Sequence, residues 1–189
     1  MKTAFVVFDQ MTSLDFIGFY DPVTRLKSMQ IMDDFKWRIC ATNRLVTDDR
    51  GLRFEADAVG ESLDSYDMIF VPGGFGTRSL QHDRNFINWL TTGESARLKV
   101  SVCTGALLFG AAGFLAGRRA TTHPNACKEL APYCAAVVRE RVVEDGNVVT
   151  AGGVSSAIDA GLHVVEKLAG AEARARIASQ MDYPYRWPS

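Results

Sequence analysis

The sequence predicts an α/β fold in which a mostly parallel sheet is covered by helices on both faces. Apolar runs typical of buried strands alternate along the chain with stretches of helical periodicity. Parallel strands need crossover connections, and because these are usually helices, the alternation favours a three-layer arrangement. The continuous apolar runs at 5–8 and 68–71 fit strands that are buried on both sides.

The expected elements follow one another as alternating strands and helices. Apolar periodicity predicts strands near 3–8, 35–42, 67–71, 98–102 and 148–151, and helices near 15–29, 83–94, 104–113, 124–131 and 154–169. Residues 141–150 are expected to form a hairpin, because Asp145-Gly146 supplies the positive φ that a tight turn requires. A second hairpin is expected around Asp49-Arg50-Gly51.

Composition and length indicate a single globular domain that spans residues 1–189. Hydrophobic residues make up 47% of the 189 positions and charged residues 23%, a balance that argues against disorder and a fibrous architecture. The 21 basic and 22 acidic side chains leave a net charge of −1. No electrostatic footprint for a nucleic acid or an anionic membrane is therefore expected.

Two apolar stretches need to be distinguished from targeting or membrane segments. The run at 4–8 meets Asp9 too early for a signal peptide, so the mature chain is expected to start at Met1 in the cytoplasm. The stretch 100–117 carries no charge and is just long enough to span a bilayer. Its four glycines break it into shorter pieces, which favours a buried core element.

Cysteines and histidines show neither disulfide nor metal-ligand spacing. The cysteines have no C-x-x-C pair, which favours a reducing compartment; they are Cys40, Cys103, Cys127 and Cys134. His82, His123 and His163 are scattered without the paired spacing of zinc ligands. We therefore expect neither a metal nor a cofactor.

Several segments rich in glycine or polar residues are expected at one edge of the sheet. In open parallel sheets, ligands bind in the crevice beyond the carboxyl ends of the strands. The segments that leave those ends are 9–15, 72–76, 103–105, 121–125 and 152–155. These segments are where the sequence predicts a functional site.

Cys103 follows the strand at 98–102 and starts the next helix. The run Ser101-Val102-Cys103-Thr104-Gly105 matches the context of a nucleophile elbow, with Ser101 in place of the usual first glycine. A cysteine at a helix N-terminus gains from unpaired amides and the positive end of the dipole, which predicts a stabilised thiolate. The alternative is a small structural cysteine, because free cysteines are among the most buried residues.

Two neighbouring segments could supply the rest of a catalytic site. Gly73 and Gly74 leave another buried strand, and the Gly74 N–H could face an anion that develops beside Cys103. A plain tight turn is the alternative. Asp15 could transfer protons at the thiol if burial against the aromatic residues that follow it raises its pKa. A helix N-cap would also explain this aspartate.

Two further residues are candidates for binding substrate. His123, in Thr121-Thr122-His123-Pro124, could orient a water or hydrogen-bond the thiolate, and a structural role at a helix start is the alternative. Gly153 lies just before the last long helix, where backbone amides could line the same crevice. Packing of that helix on the sheet explains the glycine equally well.

These motifs together resemble the DJ-1/PfpI superfamily over nearly the whole chain. The resemblance rests on Pro72-Gly73-Gly74, Val102-Cys103-Thr104-Gly105 and Arg118-Arg119-Ala120-Thr121-Thr122-His123. Within the superfamily the chain is most similar to the isonitrile hydratase group and to the amidase-like domains of AraC-type regulators, which share the Cys-Thr-Gly and Thr-Thr-His signatures. Pro124 departs from the pattern, in which an aromatic residue often follows.

The resemblance implies a flavodoxin-like sandwich and a homodimer, with the first helix as a candidate for the interface. It also implies that Cys103 is the nucleophile, that Asp15 is the acidic residue in contact with it, and that the Gly74 and Thr104 amides form an oxyanion-binding pocket. Thr104 stands where PfpI-type peptidases have a histidine, so their adjacent Cys-His pair is absent.

The function that the resemblance implies is hydration of a small-molecule isonitrile to an N-substituted formamide. Cys103 would add to the substrate, Asp15 would act as acid and base, and Thr104 would orient Asp15 or the water. Two alternatives stay open: a metabolite-sensing, amidase-like regulator module without turnover, and a glyoxalase- or deglycase-like enzyme. After Lys167 the sequence predicts only a short helix at 172–179 and an aromatic tail at 182–189, on the surface or along another subunit, so DNA binding is not expected.

Overall fold

A computed structural model describes residues 1–184 of the chain. The strands are β1 (Lys2–Val6), β2 (Lys36–Ala41), β3 (Leu45–Thr47), β4 (Arg53–Glu55), β5 (Ala58–Val59), β6 (Met68–Val71), β7 (Leu98–Val102), β8 (Arg119–Ala120), β9 (Ala136–Val137), β10 (Val142–Asp145) and β11 (Val148–Ala151). The helices are α1 (Ser13–Ser28), α2 (Thr77–Leu80), α3 (Arg84–Thr91), α4 (Gly105–Ala111), α5 (Cys127–Leu130) and α6 (Ser156–Gln180).

A seven-stranded sheet forms the centre of the molecule, in the order β10-β11-β7-β6-β1-β2-β5. Its neighbouring strands are parallel except for the β10–β11 hairpin. Helices α1 and α6 pack against each other in one layer, and α2, α4 and α5 contact one another in a second layer. The predicted three-layer α/β fold with a mostly parallel sheet is therefore confirmed.

Both predicted hairpins are present. Strands β10 and β11 pair around Gly146, whose φ of 63° is the left-handed conformation that the Asp-Gly turn predicts. Strands β3 and β4 pair on either side of residues 48–52. The second hairpin lies over the β1–α1 loop, since the Gln10 N–H donates to the Thr47 carbonyl at 2.8 Å and the Asp49 N–H to the Met11 carbonyl at 3.0 Å.

One predicted helix differs from the structure, and two others are confirmed. The helix expected at 124–131 is divided into the four-residue α5 and two 3₁₀ turns, Pro124–Ala126 and Ala131–Tyr133. Both turns contain a proline near their start, which removes a backbone donor and interrupts a regular helix. The helices expected at 154–169 and 172–179 are confirmed as the two parts of α6, which are separated at Gly170, whose φ of 87° is not helical.

The uncharged stretch 100–117 contains the end of β7 and the buried helix α4, as a core element requires. No helix within residues 1–184 is both long enough and apolar enough to cross a membrane. Of the aromatic tail, residues 185–189 lie outside the described residues. The Tyr183 hydroxyl hydrogen-bonds to Asp159 of α6, so this part of the tail packs on its own chain.

An aromatic cluster fixes α1 against the sheet. Phe19 of α1 stacks on Phe70 of β6, with ring centroids 4.1 Å apart and planes 3° from parallel. Phe5 of β1 makes edge-on contacts with Phe16 and Phe19 at 6.0 and 6.2 Å. Because Asp15 precedes Phe16 in the same helix, this packing also sets the position of the Asp15 backbone.

The strand register brings the candidate site together. Strands β6 and β11 flank β7 and end almost level with it, since Val71 pairs with Ser101 and Ala151 with Val102. The loops after these three parallel strands therefore leave the sheet side by side. Cys103 begins the central loop.

The aromatic cluster predicts a large stability loss for Phe19→Ala. The Phe19 ring is fully buried, and removing a buried phenylalanine side chain costs about 3–5 kcal/mol. We expect urea unfolding to show a loss of this order, with a smaller loss for Phe19→Leu. The control is Phe75→Ala at a side chain that is 70% exposed, where the change should stay within about 0.5 kcal/mol. Equal losses in Phe19→Ala and Phe75→Ala would contradict this assignment.

Candidate active site

Cys103 occupies a strained turn between β7 and α4. Its φ of 56° is unusual for a residue with a side chain. The Cys103 N–H donates to the carbonyls of Ala151 and Gly152, both at 2.9 Å, and the Thr122 hydroxyl donates to the Cys103 carbonyl at 2.8 Å. These bonds from two neighbouring loops hold the turn, and the cysteine itself is 6% exposed.

Gly73 is the point around which the candidate groups converge. A Cβ atom placed on Gly73 would lie 2.8 Å from Asp15 Oδ2, 2.8 Å from Cys103 Cβ and 2.6 Å from the Thr104 nitrogen. Such distances are too short for carbon contacts, so only glycine allows the three residues to approach one another here. The structure thus brings together the four predicted residues Asp15, Gly73, Cys103 and Thr104.

Asp15 has no solvent exposure and lies in the first turn of α1. Its Oδ2 accepts a hydrogen bond from the Gly73 N–H at 3.0 Å, and its carboxyl is within hydrogen-bonding reach of the Cys103 thiol. The N-cap residue of α1 is Thr12. The interpretation of Asp15 as a helix cap is therefore wrong, because its carboxylate bonds to a loop amide from another part of the chain.

The pKa values of the acid and the thiol are both raised. Burial raises the pKa of Asp15 from 3.8 to about 7, against the hydrogen bonds from Gly73 and Cys103, which lower it. Burial, followed by the charge of Asp15, raises the pKa of Cys103 to about 12, against the lowering effect of the Thr104 N–H. At neutral pH the thiol is protonated while Asp15 is near its midpoint.

The sequence expectation of a stabilised thiolate is therefore wrong for the resting site. Helix α4 does start beside Cys103, but it contains only seven residues. Its dipole and the Thr104 amide are outweighed by burial and by the neighbouring carboxylate.

Thr104 locks the loop after β6 to the start of α4. Its hydroxyl accepts a hydrogen bond from the Gly74 N–H at 3.0 Å and donates one to the Gly74 carbonyl at 3.1 Å. Gly74 has a φ of 135°, and a Cβ there would meet the backbone of residues 10–12. In this arrangement the Gly74 N–H donates to the Thr104 hydroxyl. To bind an oxyanion, the Gly74 N–H would have to give up this hydrogen bond, so its part in an oxyanion-binding pocket stays a prediction.

His123 and Gly153 lie on a neighbouring cavity of about 680 Å³. The His123 ring accepts a hydrogen bond from the Asn125 N–H at 3.2 Å, which supports the structural alternative of a residue that begins a short helical turn. A Cβ on Gly153 would lie 3.6 Å from the His123 ring. Thr122 and Gly152 also line this cavity and bond the Cys103 backbone, so the cavity adjoins the cysteine turn.

Pro124 is part of the same cavity wall. In the superfamily that the sequence resembles, an aromatic residue often follows the Thr-Thr-His signature. The sequence therefore predicts that Pro124 gives this cavity a different wall. Leu14, which precedes Asp15, lines the cavity as well and is 51% exposed. The cavity therefore borders both the acid-bearing helix and the cysteine turn.

Asp49 is a nearby carboxylate that the sequence did not reveal as part of the site. It accepts a hydrogen bond from the Thr12 hydroxyl at 3.2 Å, and its charge contributes to the raised pKa of Asp15. The sequence placed Asp49 in a hairpin turn but contained no signal for where that hairpin would pack. No three potential metal ligands of the His, Cys, Asp or Glu type cluster within residues 1–184.

Comparison with known proteins identifies the family. The model of the DJ-1/PfpI family matches residues 1–167. The chain belongs to the DJ-1/PfpI family. The isonitrile hydratase of Pseudomonas putida is 35% identical over 185 residues, which cover 97% of this chain and 78% of the hydratase. The resemblance that the sequence motifs predicted is thus confirmed.

Two further relatives extend the comparison. The crystal structure of a THiJ/PfpI family protein from Pseudomonas syringae matches with a TM-score of 0.87 and 29% identity, covering 100% of this chain and 77% of that one. The HTH-type transcriptional regulator CdhR of Pseudomonas aeruginosa is 24% identical over 181 residues, which are 93% of this chain but 53% of the regulator.

Burial of the acid in this DJ-1/PfpI site predicts that Asp15→Asn stabilises the protein at alkaline pH. A carboxyl whose pKa rises from 3.8 to about 7 on folding destabilises the native state as the pH increases through this interval. The full effect, present above pH 7, is of the order of 4 kcal/mol. We expect urea unfolding to show a gain of free energy for Asp15→Asn at pH 8 that nearly vanishes at pH 4.

The control for this measurement is Asp64→Asn, at an exposed aspartate far along the chain from the site. It should show no such gain between the two pH values. A stability difference between Asp15→Asn and the parent that does not change with pH would contradict the burial of an ionisable carboxyl at this position.

Proposed function

We propose that this protein is a cysteine-dependent isonitrile hydratase, which adds water to an isonitrile to give an N-substituted formamide. The observation that carries the proposal is a fully buried carboxyl with a pKa of about 7 within reach of a protonated thiol. The similarity to the hydratase of Pseudomonas putida, which extends over 97% of this chain, supports the same reaction.

The first step uses the thiol and the carboxylate as a proton relay. An isonitrile carbon can take both a proton and a nucleophile. The Asp15 carboxylate accepts the proton from Cys103 Sγ and delivers it to that carbon, while the sulfur forms a bond to the same carbon. The product is a thioimidate, R–N=CH–S, on Cys103. Asp15 is a carboxylate again, and no proton is gained or lost.

The second step hydrolyses the thioimidate. The Asp15 carboxylate takes a proton from water as the water oxygen bonds to the thioimidate carbon, and the C–S bond then breaks. One water proton ends on the substrate nitrogen and the other on Cys103 Sγ, which leaves R–NH–CHO and the resting thiol. A carboxyl with a pKa near the working pH suits both transfers, because it can accept and donate at similar free energies.

Thr104, Gly73 and Gly74 position the reacting groups. The Gly73 N–H holds one carboxyl oxygen of Asp15, and the bonds between Thr104 and Gly74 fix the loop that carries this amide. The adjoining cavity of about 680 Å³ is large enough for the organic group of a small isonitrile. His123 and Gly153 would contact that group from the cavity wall.

A metabolite-sensing module without turnover is the second candidate. It is favoured by the match to CdhR, which covers 93% of this chain. In that case the same pocket would bind its ligand while Cys103 stays unmodified.

A glyoxalase- or deglycase-like reaction is tested by offering methylglyoxal beside the isonitrile.

Opposite effects of Asp15→Asn on turnover and on thiol alkylation would test the mechanism. We expect the parent to convert a simple alkyl isonitrile to the formamide, followed by NMR, and Asp15→Asn to lose roughly a hundred- to ten-thousand-fold in rate. Alkylation of Cys103 by iodoacetamide should become faster in Asp15→Asn, because the lost carboxylate no longer raises the thiol pKa.

Two cysteine variants complete this experiment. Cys103→Ala should form no formamide, and Cys134→Ala, at a half-buried cysteine, should retain the parent rate. If the parent makes no more formamide than Cys103→Ala, the hydratase proposal is overturned. If Asp15→Asn hydrates at the parent rate, Asp15 is not the proton carrier.

The proposal includes a homodimer formed through α1. Leu14 and Ile17 are one helical turn apart and are 51% and 43% exposed. Because Leu14 also lines the cavity beside the cysteine turn, a symmetric contact through this helix would place the second subunit near the cavity.

Light scattering at micromolar concentration tests this interface. We expect a dimer for the parent and a monomer for Ile17→Glu, because the substitution buries an unpaired charge in an apolar contact. Leu45→Glu introduces the same charge at a side chain that is 62% exposed on β3, and it should remain dimeric. A monomeric parent, or a dimeric Ile17→Glu, would contradict the proposed interface.

A further inference from the structure

A second cavity lies at the opposite end of the sheet from Cys103. It has a volume of about 310 Å³, and its lining includes Lys99, Phe114, Arg118 and Asn147. Lys99 is the second residue of β7, whereas Cys103 follows the last residue of that strand. The proposed hydratase mechanism uses no residue of this second cavity.

Lys99 is a buried cation without a counter-ion among residues 1–184. It is only 3% exposed, and its ammonium donates one hydrogen bond, to the Ala96 carbonyl at 2.8 Å. The ammonium also lies 5.2 Å from the centre of the Phe114 ring. Within residues 1–184, no carboxylate lies within ion-pair distance of it. Two of its three N–H donors therefore have no acceptor within the described residues 1–184.

Arg118 places a second positive charge beside the first. Burial lowers the pKa of Lys99, and the charge of Arg118 lowers it further, against the weaker opposing effect of Glu94 on the cavity rim. The Arg118 guanidinium is held over the β10–β11 turn by bonds to the Asp145 carbonyl at 3.0 Å and to Asn147 Oδ1 at 3.1 Å. It also forms a long ion pair, at 4.0 Å, with the Asp145 carboxylate. This anchoring leaves further guanidinium N–H groups unused.

Arg118 has the Asp145 carboxylate nearby, whereas Lys99 has no carboxylate partner within residues 1–184, so the Lys99 charge is unfavourable without a ligand. A buried charge is normally paired, and two neighbouring cations destabilise each other. An anion in the cavity would remove both costs, since it could accept hydrogen bonds from the ammonium and the guanidinium together. The open cavity next to both groups provides the space for it.

We propose that this cavity is a second binding site, which takes a small oxyanion, such as a phosphate or carboxylate group, between Lys99 and Arg118. The ligand oxygens accept hydrogen bonds from the free donors of the two cations. The site is separate from the proposed hydratase chemistry, because it lies at the amino-terminal edge of the sheet.

Calorimetric titration of the full chain with inorganic phosphate, and separately with acetate, tests this site. Both titrations are made at pH 7 against sodium chloride of equal ionic strength. We expect saturable binding of at least one of the two anions to the parent, and the difference between them tells whether phosphate or carboxylate is preferred. Lys99→Met should weaken binding about tenfold or more, because a charged hydrogen bond is lost without adding a polar group.

Two further variants, one inside the cavity and one outside it, complete the binding experiment. Arg118→Gln removes the second cation and leaves Lys99 in place, so it gives the same test if Lys99→Met does not fold, and it should weaken binding to a similar extent. Arg97→Gln removes a charge that is 87% exposed and lies outside the cavity, and its affinity should equal that of the parent.

The proposal is overturned if neither anion binds the parent, or if Lys99→Met and Arg118→Gln bind as tightly as the parent. It is also overturned if Arg97→Gln loses as much affinity as the cavity variants, because binding would then follow net charge. The alkylation rate of Cys103 in Lys99→Met should equal that of the parent, which separates this outcome from the fate of the hydratase proposal.

Discussion

The placement of a carboxyl group in the protein interior is the constraint on which the candidate active site depends. Asp15 has no solvent exposure and forms no ion pair within residues 1–184, and a single backbone N–H, that of Gly73, holds its Oδ2. Such a group is costly to ionise, so it titrates near neutral pH. Without a neighbouring cation the ionised Asp15 destabilises the fold. For the same reason its pKa lies near neutral, where a carboxyl can both accept and donate a proton.

The rest of the structure fixes the partners of that carboxyl. Phe16 and Phe19, on the same helix as Asp15, pack in the aromatic cluster, so α1 cannot move the acid away without exposing large apolar rings. The positive φ of Cys103 is maintained by hydrogen bonds from two other loops. The aromatic packing and these hydrogen bonds thus offset the unfavourable free energy of the positive φ at Cys103 and of the buried carboxyl at Asp15.

The sequence predicted the parts of this arrangement that depend on local pattern. Uninterrupted apolar runs identified β1 and β6 because both faces of the sheet are covered, and the strand-to-helix position of Cys103 followed from residues 98–105. Properties that depend on tertiary packing were not predictable. The sequence could not show that Asp49 packs beside Asp15, and it suggested a thiolate because burial and a neighbouring carboxylate are invisible in a helix-start motif.

Strand β7 has a buried acidic group beside one end and a buried basic group near the other, and both charges are unfavourable. At its carboxyl end Cys103 lies against a buried acid, and near its amino end the buried Lys99 lies beside Arg118. The flanking strands β6 and β11 and the covering helices bury β7, so that Cys103 and Lys99 are only 6% and 3% exposed. The acid can relieve its charge by taking a proton near neutral pH. An anion bound between Lys99 and Arg118, as in the proposed second site, would reduce the repulsion between the two cations. In the two proposals, the ends of one buried strand have different functions: proton transfer at one and anion binding at the other.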